Sequence, residues 1–263
     1  MIFETHAHYD DERFAEDREE LIPAVRRAGI CPIINVGASI ESTKTTLDLA
    51  SRYAFIYAAV GVHPEDIADL TEADMNWLKE QTTWEKTVAI GEIGLDYYWE
   101  KDPAMQEKQR YWFGRQLELA KETGLPVIVH SRDAGNDTMK VLKDHHGEEI
   151  PAVIHCYSYS KEMALEFIKM GYYIGVGGVI TFKNSRKLRE TVEAIPIGRI
   201  LLETDCPYMA PEPHRGKRND SRYIPYMIAK IAEIKGMQMK EVEEITENNA
   251  YQLFKKVPRW TNY

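Results

Sequence analysis

Short apolar runs and longer amphipathic stretches alternate from one end of the chain to the other. The apolar runs fall near residues 2–8, 31–37, 55–61, 87–93, 126–130, 151–155, 172–177 and 199–203. Several, such as Pro32-Ile33-Ile34-Asn35-Val36 and Pro126-Val127-Ile128-Val129-His130, are too continuously apolar for a half-exposed strand. They read as parallel strands buried on both faces. The amphipathic stretches have helical spacing. Residues 11–28 put Leu21, Ile22, Val25 and Ala28 on one face. Residues 104–123 do the same with Trp112, Leu117 and Ala120, and Gly124 follows as a suitable C-cap. Residues 221–235 and 239–255 read as two closing helices.

About eight β/α units in a chain of this length match the rhythm of an α/β fold of the TIM (β/α)8 barrel type. A doubly wound open sheet is the structural alternative. The barrel is favoured because ionisable residues end strand candidates all along the chain, and a barrel gathers those ends at one mouth. No linker, low-complexity tract or composition break interrupts the pattern, so one domain over residues 1–263 is expected, its last few residues forming a tail.

Composition narrows the picture a little. The chain has 263 residues, 44% of them apolar, enough for a sizeable core. No apolar run approaches the roughly 18 residues of a membrane helix. Glu4, Asp10, Asp11 and Glu12 stand where a secretory signal would be basic and apolar, so a cytoplasmic location is expected. The three cysteines, Cys31, Cys156 and Cys206, form no Cys-x-x-Cys and suit reduced thiols. Strand alternation turns Cys156 and Cys206 outward, as packing residues. A net charge of −9 argues against broad coating of nucleic acid, but leaves room for a local basic mouth.

The chemistry begins at Glu4-Thr5-His6-Ala7-His8. In a strand, His6 and His8 share a face, roughly 6.5–7 Å apart, and two imidazoles on one rigid strand can grip a divalent ion. Glu4 has the same parity but lies deeper, as an outer support or an inward carboxylate of the floor. Glu92 closes the fourth strand candidate. A buried carboxylate needs a partner, either a basic side chain or two metal ions bridged by its two oxygens. Asp96, just beyond, would orient a ligand or bind substrate. His130 and His155 each end a strand and together suggest ligands of a second ion. Asp205 suits a ligand that also takes a proton from the attacking water, and Glu203, on the same face, an outer-shell carboxylate. His63, in Gly61-Val62-His63-Pro64, is placed in substrate binding. In the basic segment Pro213-His214-Arg215-Gly216-Lys217-Arg218-Asn219, Arg215 and Arg218 are the expected phosphate clamp. Tyr97, Tyr98, Trp99, Tyr157 and Tyr159 follow strand ends and either stack on bases or pack between loops. Gly175-Val176-Gly177-Gly178 is no dinucleotide or phosphate-loop fingerprint. There is no Gly-x-Ser-x-Gly elbow and no Cys-rich zinc ribbon.

Taken in order, Thr5-His6-Ala7-His8, Gly61-Val62-His63-Pro64, Gly91-Glu92-Ile93-Gly94-Leu95-Asp96-Tyr97, His130-Ser131-Arg132, His155-Cys156-Tyr157-Ser158 and Leu202-Glu203-Thr204-Asp205-Cys206-Pro207-Tyr208 resemble the TatD family of metal-dependent deoxyribonucleases. Residues 213–219 and Asn249-Ala250-Tyr251-Gln252-Leu253-Phe254 extend the likeness over essentially the whole chain. The resemblance implies a TIM barrel of the amidohydrolase type. It implies one ion on His6, His8 and Asp205, another on His130 and His155, and Glu92 between them. It also implies phosphodiester hydrolysis, commonly 3′→5′ on DNA. Asp205, Glu92 and Glu203 are then the catalytic carboxylates, and His63, Asp96, Arg132, Tyr157, Arg215 and Arg218 the expected substrate contacts. The mixed ligands suit Zn, Mn, Fe or Co, with Mg if waters complete the shell. The expected partner is DNA or an oligonucleotide with single-stranded ends, with no membrane and no obligate protein partner. Two positions depart from the family pattern: Tyr159 where Gly is usual, and Glu4 where Asp is usual. Two rival functions remain: a hydrolase of another ester, amide or lactone, misacylated tRNA included, and a non-catalytic nucleic-acid binder with structural metal.

Overall fold

A computed structural model of the chain describes residues 1–260; the tail expected at the end falls on residues 261–263, outside the described residues. Eight strands form one parallel sheet in sequence order. They are β1 (Ile2–Ala7), β2 (Ile30–Val36), β3 (Ile56–Val60), β4 (Thr87–Asp96), β5 (Val127–Arg132), β6 (Ala152–Ile154), β7 (Tyr173–Val176) and β8 (Ile200–Leu202). The barrel closes between β8 and β1 through the Ala7–Cys206 bridge, with His8 N donating to Cys206 O (2.9 Å) and Asp205 N to His6 O (3.0 Å). This is the (β/α)8 barrel that the alternating pattern predicts.

The surrounding helices are α1 (Arg18–Arg27), α2 (Ile40–Arg52), α3 (Glu72–Gln81), α4 (Pro103–Thr123), α5 (Gly135–Asp144), α6 (Lys161–Lys169), α7 (Arg186–Ala194), α8 (Ile224–Lys235) and α9 (Met239–Leu253). The expected helix over 11–28 is shorter than its pattern. A 3-10 turn takes Glu12–Phe14, and the α-helix starts after Asp17. Leu21, Ile22 and Val25 face the core as expected, but Ala28 is the exposed C-cap. Gly124 ends α4 at φ +68°, the left-handed cap its sequence suggests.

Two apolar cores divide the interior. One lies between strands and helices; the other fills the barrel with Ile34, Val36, Tyr57, Ile128, Val153 and Leu201. Phe3, Tyr251, Leu253, Phe254 and Val257 close its floor against α9. Strand β1 is bulged here. Its register with β2 runs Ile2–Ile30, Glu4–Ile33, Ala7–Asn35, so three residues after Glu4 face two of β2. The extra residue breaks alternation. Phe3 joins the floor and His6 the mouth, while Glu4 turns outward beside Ile33. Glu4 Oε2 accepts from Thr204 Oγ1 (2.6 Å) and Oε1 from Thr204 N (2.9 Å), tying β1 to the segment after β8. Glu4 is therefore not an inward carboxylate of the floor, and burial pushes its pKa up to about 8. No helix among the described residues is long and apolar enough to cross a membrane.

Candidate metal centre

His6 and His8, at the end of β1, bring their Nε2 atoms to 3.0 Å of one another. His8 Nδ1 lies 2.8 Å from Val36 O. That carbonyl can only accept, so the Nδ1 carries the proton and the Nε2 lone pair of neutral His8 points into the mouth. Asp205 Oδ1 approaches His8 Nε2 at 3.5 Å and His6 Nε2 at 3.8 Å. Strand β4 runs on to Asp96, beyond its expected end near 93, and sets Glu92 at the centre. Glu92 Oε2 lies 3.3 Å from His6 Nε2 and 3.6 Å from His8 Nε2. Glu92 Oε1 lies 2.8 Å from His130 Nδ1 and 2.9 Å from His155 Nε2. The two oxygens of one carboxylate thus face two imidazole sets.

Supporting groups hold these side chains. His130 Nε2 meets Asp96 Oδ2 at 3.0 Å, while Asp96 Oδ1 accepts from the amides of Tyr98 (2.9 Å) and Trp99 (3.0 Å). The Asp96 side chain thus positions His130 from behind. Glu203 Oε1 accepts from Cys156 N (2.5 Å) and lies 3.6 Å from His155 Nδ1. It fits only because Gly175 has no side chain, since a Cβ there would stand 2.4 Å from Glu203 Oε2. The rings of His6 and His155 stack at 3.9 Å.

The electrostatics follow from crowding charge in a dry site. Burial works to raise the Glu92 and Asp205 pKa values, yet the neighbouring imidazoles hold both low, Glu92 well below the usual carboxylate range. Burial works to lower His8, His130 and His155, but Glu92 and its fellow carboxylates pull all three up, His8 and His155 far up. His6 goes down, through burial and then the charge of His155. His63 falls to about 3, through burial and then the charge of His130.

These residues fit divalent cations. Ligand atoms of His6, His8 and Asp205 lie within 4.8 Å of one another, as do those of His63, Glu92 and His130 and those of His6, His155 and Glu203. His6 Nδ1, His155 Nδ1 and Glu203 Oε2 are buried without a hydrogen-bond partner, a cost that a structural polar core would avoid. The donors are the imidazole nitrogens and carboxylate oxygens that borderline divalent metals favour.

A cavity of about 390 Å³ opens over the centre. His63, Asp96 and Arg132 line it as expected. Asp10, Asp11, Ser42, Glu65, Asp66, Tyr208 and Met209 line it too and were not read from the sequence, although Asp10 and Glu65 sit just past His8 and His63. Asp10 accepts from Asn35 Nδ2 (2.8 Å) and Ser42 Oγ (2.6 Å), which ties the turn after β1 to β2 and to the first turn of α2 with no local signal.

Three expected substrate contacts lie elsewhere. Arg218 is taken by Asp17 (2.8 and 2.5 Å) and Arg13 O (2.7 Å), which fasten the loop after β8 to the segment before α1. Arg215 lies over the Phe182 ring at 4.4 Å. Tyr157 is buried and donates to Ser160 O (2.6 Å), so it packs rather than stacks. Tyr159 also packs, with its hydroxyl against Ser131 Oγ (2.8 Å) and Ala134 N (3.1 Å). Cys206 faces the outer core as expected. Cys156 does not follow alternation: its φ is +44°, and burial, with Asp205, Glu203 and Glu92 nearby, pushes its thiol up to about 12.

A closed parallel barrel with converging imidazoles and carboxylates at its mouth defines a metal-dependent hydrolase of the TIM-barrel class. Residues 3–255 match the family model described as TatD related DNase. The chain is 44% identical over 255 residues to YabD of Bacillus subtilis, named an uncharacterised metal-dependent hydrolase, covering 97% of this chain and 99% of that protein. The solved structure of YjjV, a TatD homologue from Escherichia coli K12, superposes with a TM-score of 0.90 at 34% identity and 98% coverage of both chains. A TatD family hydrolase from Entamoeba histolytica shares the fold, with a TM-score of 0.84 at 22% identity over 97% of this chain and 98% of that one. The chain belongs to the TatD family.

Proposed function

We propose that this chain is a two-metal phosphodiesterase that removes nucleotides from DNA in the 3′→5′ direction. The observation that carries the reading is the division of Glu92: Oε2 faces His6 and His8, which Asp205 also approaches, while Oε1 faces His130 and His155. His6, His8 and Asp205 would hold one ion, His130 and His155 the other, and Glu92 both. The chemistry divalent ions supply in such a site is a water acidified toward neutrality and an offset for phosphoryl charge. The family description as DNase-related supports the phosphodiester, and a mouth of about 390 Å³ suits a chain end better than a continuous duplex.

The chain's own residues supply the rest. Asp205, held ionised, accepts the proton of the attacking water. Glu203 holds the His155 end of the site through the Cys156 amide. Glu65 N donates to His63 Nδ1 (3.2 Å), so the proton of neutral His63 sits on Nε2 and is available to a phosphoryl or leaving oxygen. Arg132 replaces Arg218 as the phosphate-binding guanidinium. Free thiols at Cys31, Cys156 and Cys206 suit a reducing, cytoplasmic compartment.

Single-stranded DNA labelled at either end, incubated with metal-loaded protein with and without chelator, tests the reading. Immediate release of a 3′ label as mononucleotide, a shortening ladder from a 5′ label, and loss of both with chelator are expected. Binding without cleavage, or turnover confined to carboxylic esters, lactones or aminoacyl-tRNA, would replace it with one of its rivals.

A further inference from the structure

Arg132 differs from the chain's other arginines near loops. Among the described residues it is the one arginine or lysine lining the mouth, where Asp10, Asp11, Glu65 and Asp66 add to the carboxylates of the centre. Its guanidinium makes no ion pair among the described residues and lies 4.0 Å from the ring centroid of Tyr98 and 5.6 Å from that of Trp99. Arg218, by contrast, is saturated by Asp17. An arginine held over an aromatic face keeps its donors free for an anion.

Trp99 stands beside it. It is 63% exposed, the most exposed of the large apolar side chains among the described residues, and it lines the same cavity. At the rim of the reactive mouth it presents a large, rigid aromatic face that a ligand in the cavity can reach. It is also held in place. Its ring packs edge-on against Tyr98 at 4.7 Å, and its amide donates to Asp96 Oδ1. The other oxygen of that carboxylate meets His130. One carboxylate thus sets both the reactive centre and the aromatic shelf beside it.

We propose that Trp99 is the stacking platform for an unpaired nucleobase at the end of a DNA strand, with Arg132 taking an oxygen of the adjoining phosphate. The inference rests on the phosphodiesterase reading and adds to it a subsite that selects unstacked over paired ends. A base within a duplex has both faces occupied and a terminal paired base is fixed by its partner, whereas a frayed or single-stranded end is free to lay a face on Trp99. Stacking tolerates any base, so the subsite selects for strandedness rather than sequence.

Two measurements test the subsite separately from catalysis. The first compares KM for a single-stranded oligonucleotide with KM for the same oligonucleotide carrying an abasic 3′-terminal residue. In the wild-type protein, removing the base raises KM roughly five- to a hundredfold, the range for one stacked base. In Trp99→Ala the ratio falls below about twofold, and in Trp99→Phe most of it returns. An unchanged ratio in Trp99→Ala overturns the proposal. The second titrates metal-loaded protein with a nuclease-resistant phosphorothioate oligonucleotide and follows tryptophan fluorescence. Saturable quenching in the wild type that is largely lost in Trp99→Phe supports the platform, and equal quenching in both overturns it. A wild-type protein that cleaves no DNA while this quenching persists contradicts the hydrolytic reading alone.

Discussion

At the floor of the barrel, Phe3 packs edge-on against Tyr251 at 5.1 Å and beside Phe254 at 6.0 Å, within the apolar cluster that fills the barrel. Three residues along the same strand, His6 enters the mouth, where imidazoles and carboxylates crowd together and buried polar atoms lack partners. One strand serves both ends, and the bulge after Glu4 makes the change of side possible. The floor uses burial and close packing, which favour folding. The mouth keeps groups in a state that burial penalises, which is tolerable where a ligand is meant to complete the site. The difference separates stability from chemistry along a single strand.

The largest expected effect lies at the mouth. His6→Ala or Asp205→Asn lowers kcat/KM on single-stranded DNA by on the order of 10³-fold or more, while the far-UV circular dichroism spectrum stays native. Substantial residual turnover in either purified variant would break the contrast. At the floor, Phe3→Ala costs about 3–5 kcal/mol of stability in denaturant unfolding. It leaves activity per folded molecule near the wild-type value, and a specific loss of activity there would show that the two ends are not independent.

The next effect sharpens the boundary within the mouth. Asp96→Asn keeps the shape but weakens the hold on His130 and on the amides of Tyr98 and Trp99. Activity should fall about 10–100-fold, with a matching loss of metal affinity, measured by titrating the apo protein. Unaltered metal affinity would assign Asp96 to substrate alone. The smallest effect belongs to Arg218→Ala. Because Arg218 is exposed and bound to Asp17, its loss should change stability by about 0–1 kcal/mol and leave KM for oligonucleotides within about twofold. A large rise in KM would restore it as a phosphate clamp.

The sequence made much of this legible. Continuous apolar runs located all eight strands, mostly to within a residue or two at each end, and five of the runs close on a His or an acidic residue. They also brought His6, His8, Glu92, His130, His155 and Asp205 to one mouth. What it hid is physically specific. Strict alternation misplaced Glu4, because a bulge depends on register with β2 rather than on β1's own pattern. It misplaced Cys156, whose positive φ follows from the tight bend that lets Glu203 accept its amide. Arg218 looked available because its partner, Asp17, lies about 200 positions away and meets it only across folded loops. Asp10 and Ser42 reach the mouth through a contact between the turn after β1 and the first turn of α2 that no local spacing encodes.

The central claim is that one carboxylate, Glu92, joins two cation sites, and metal stoichiometry tests it most directly. Apo protein titrated calorimetrically with Zn or Mn, with elemental analysis of the loaded product, should take up two divalent ions per chain. Glu92→Ala should bind fewer and more weakly. One ion or none in the wild type, or two retained at unchanged affinity without Glu92, would contradict the account.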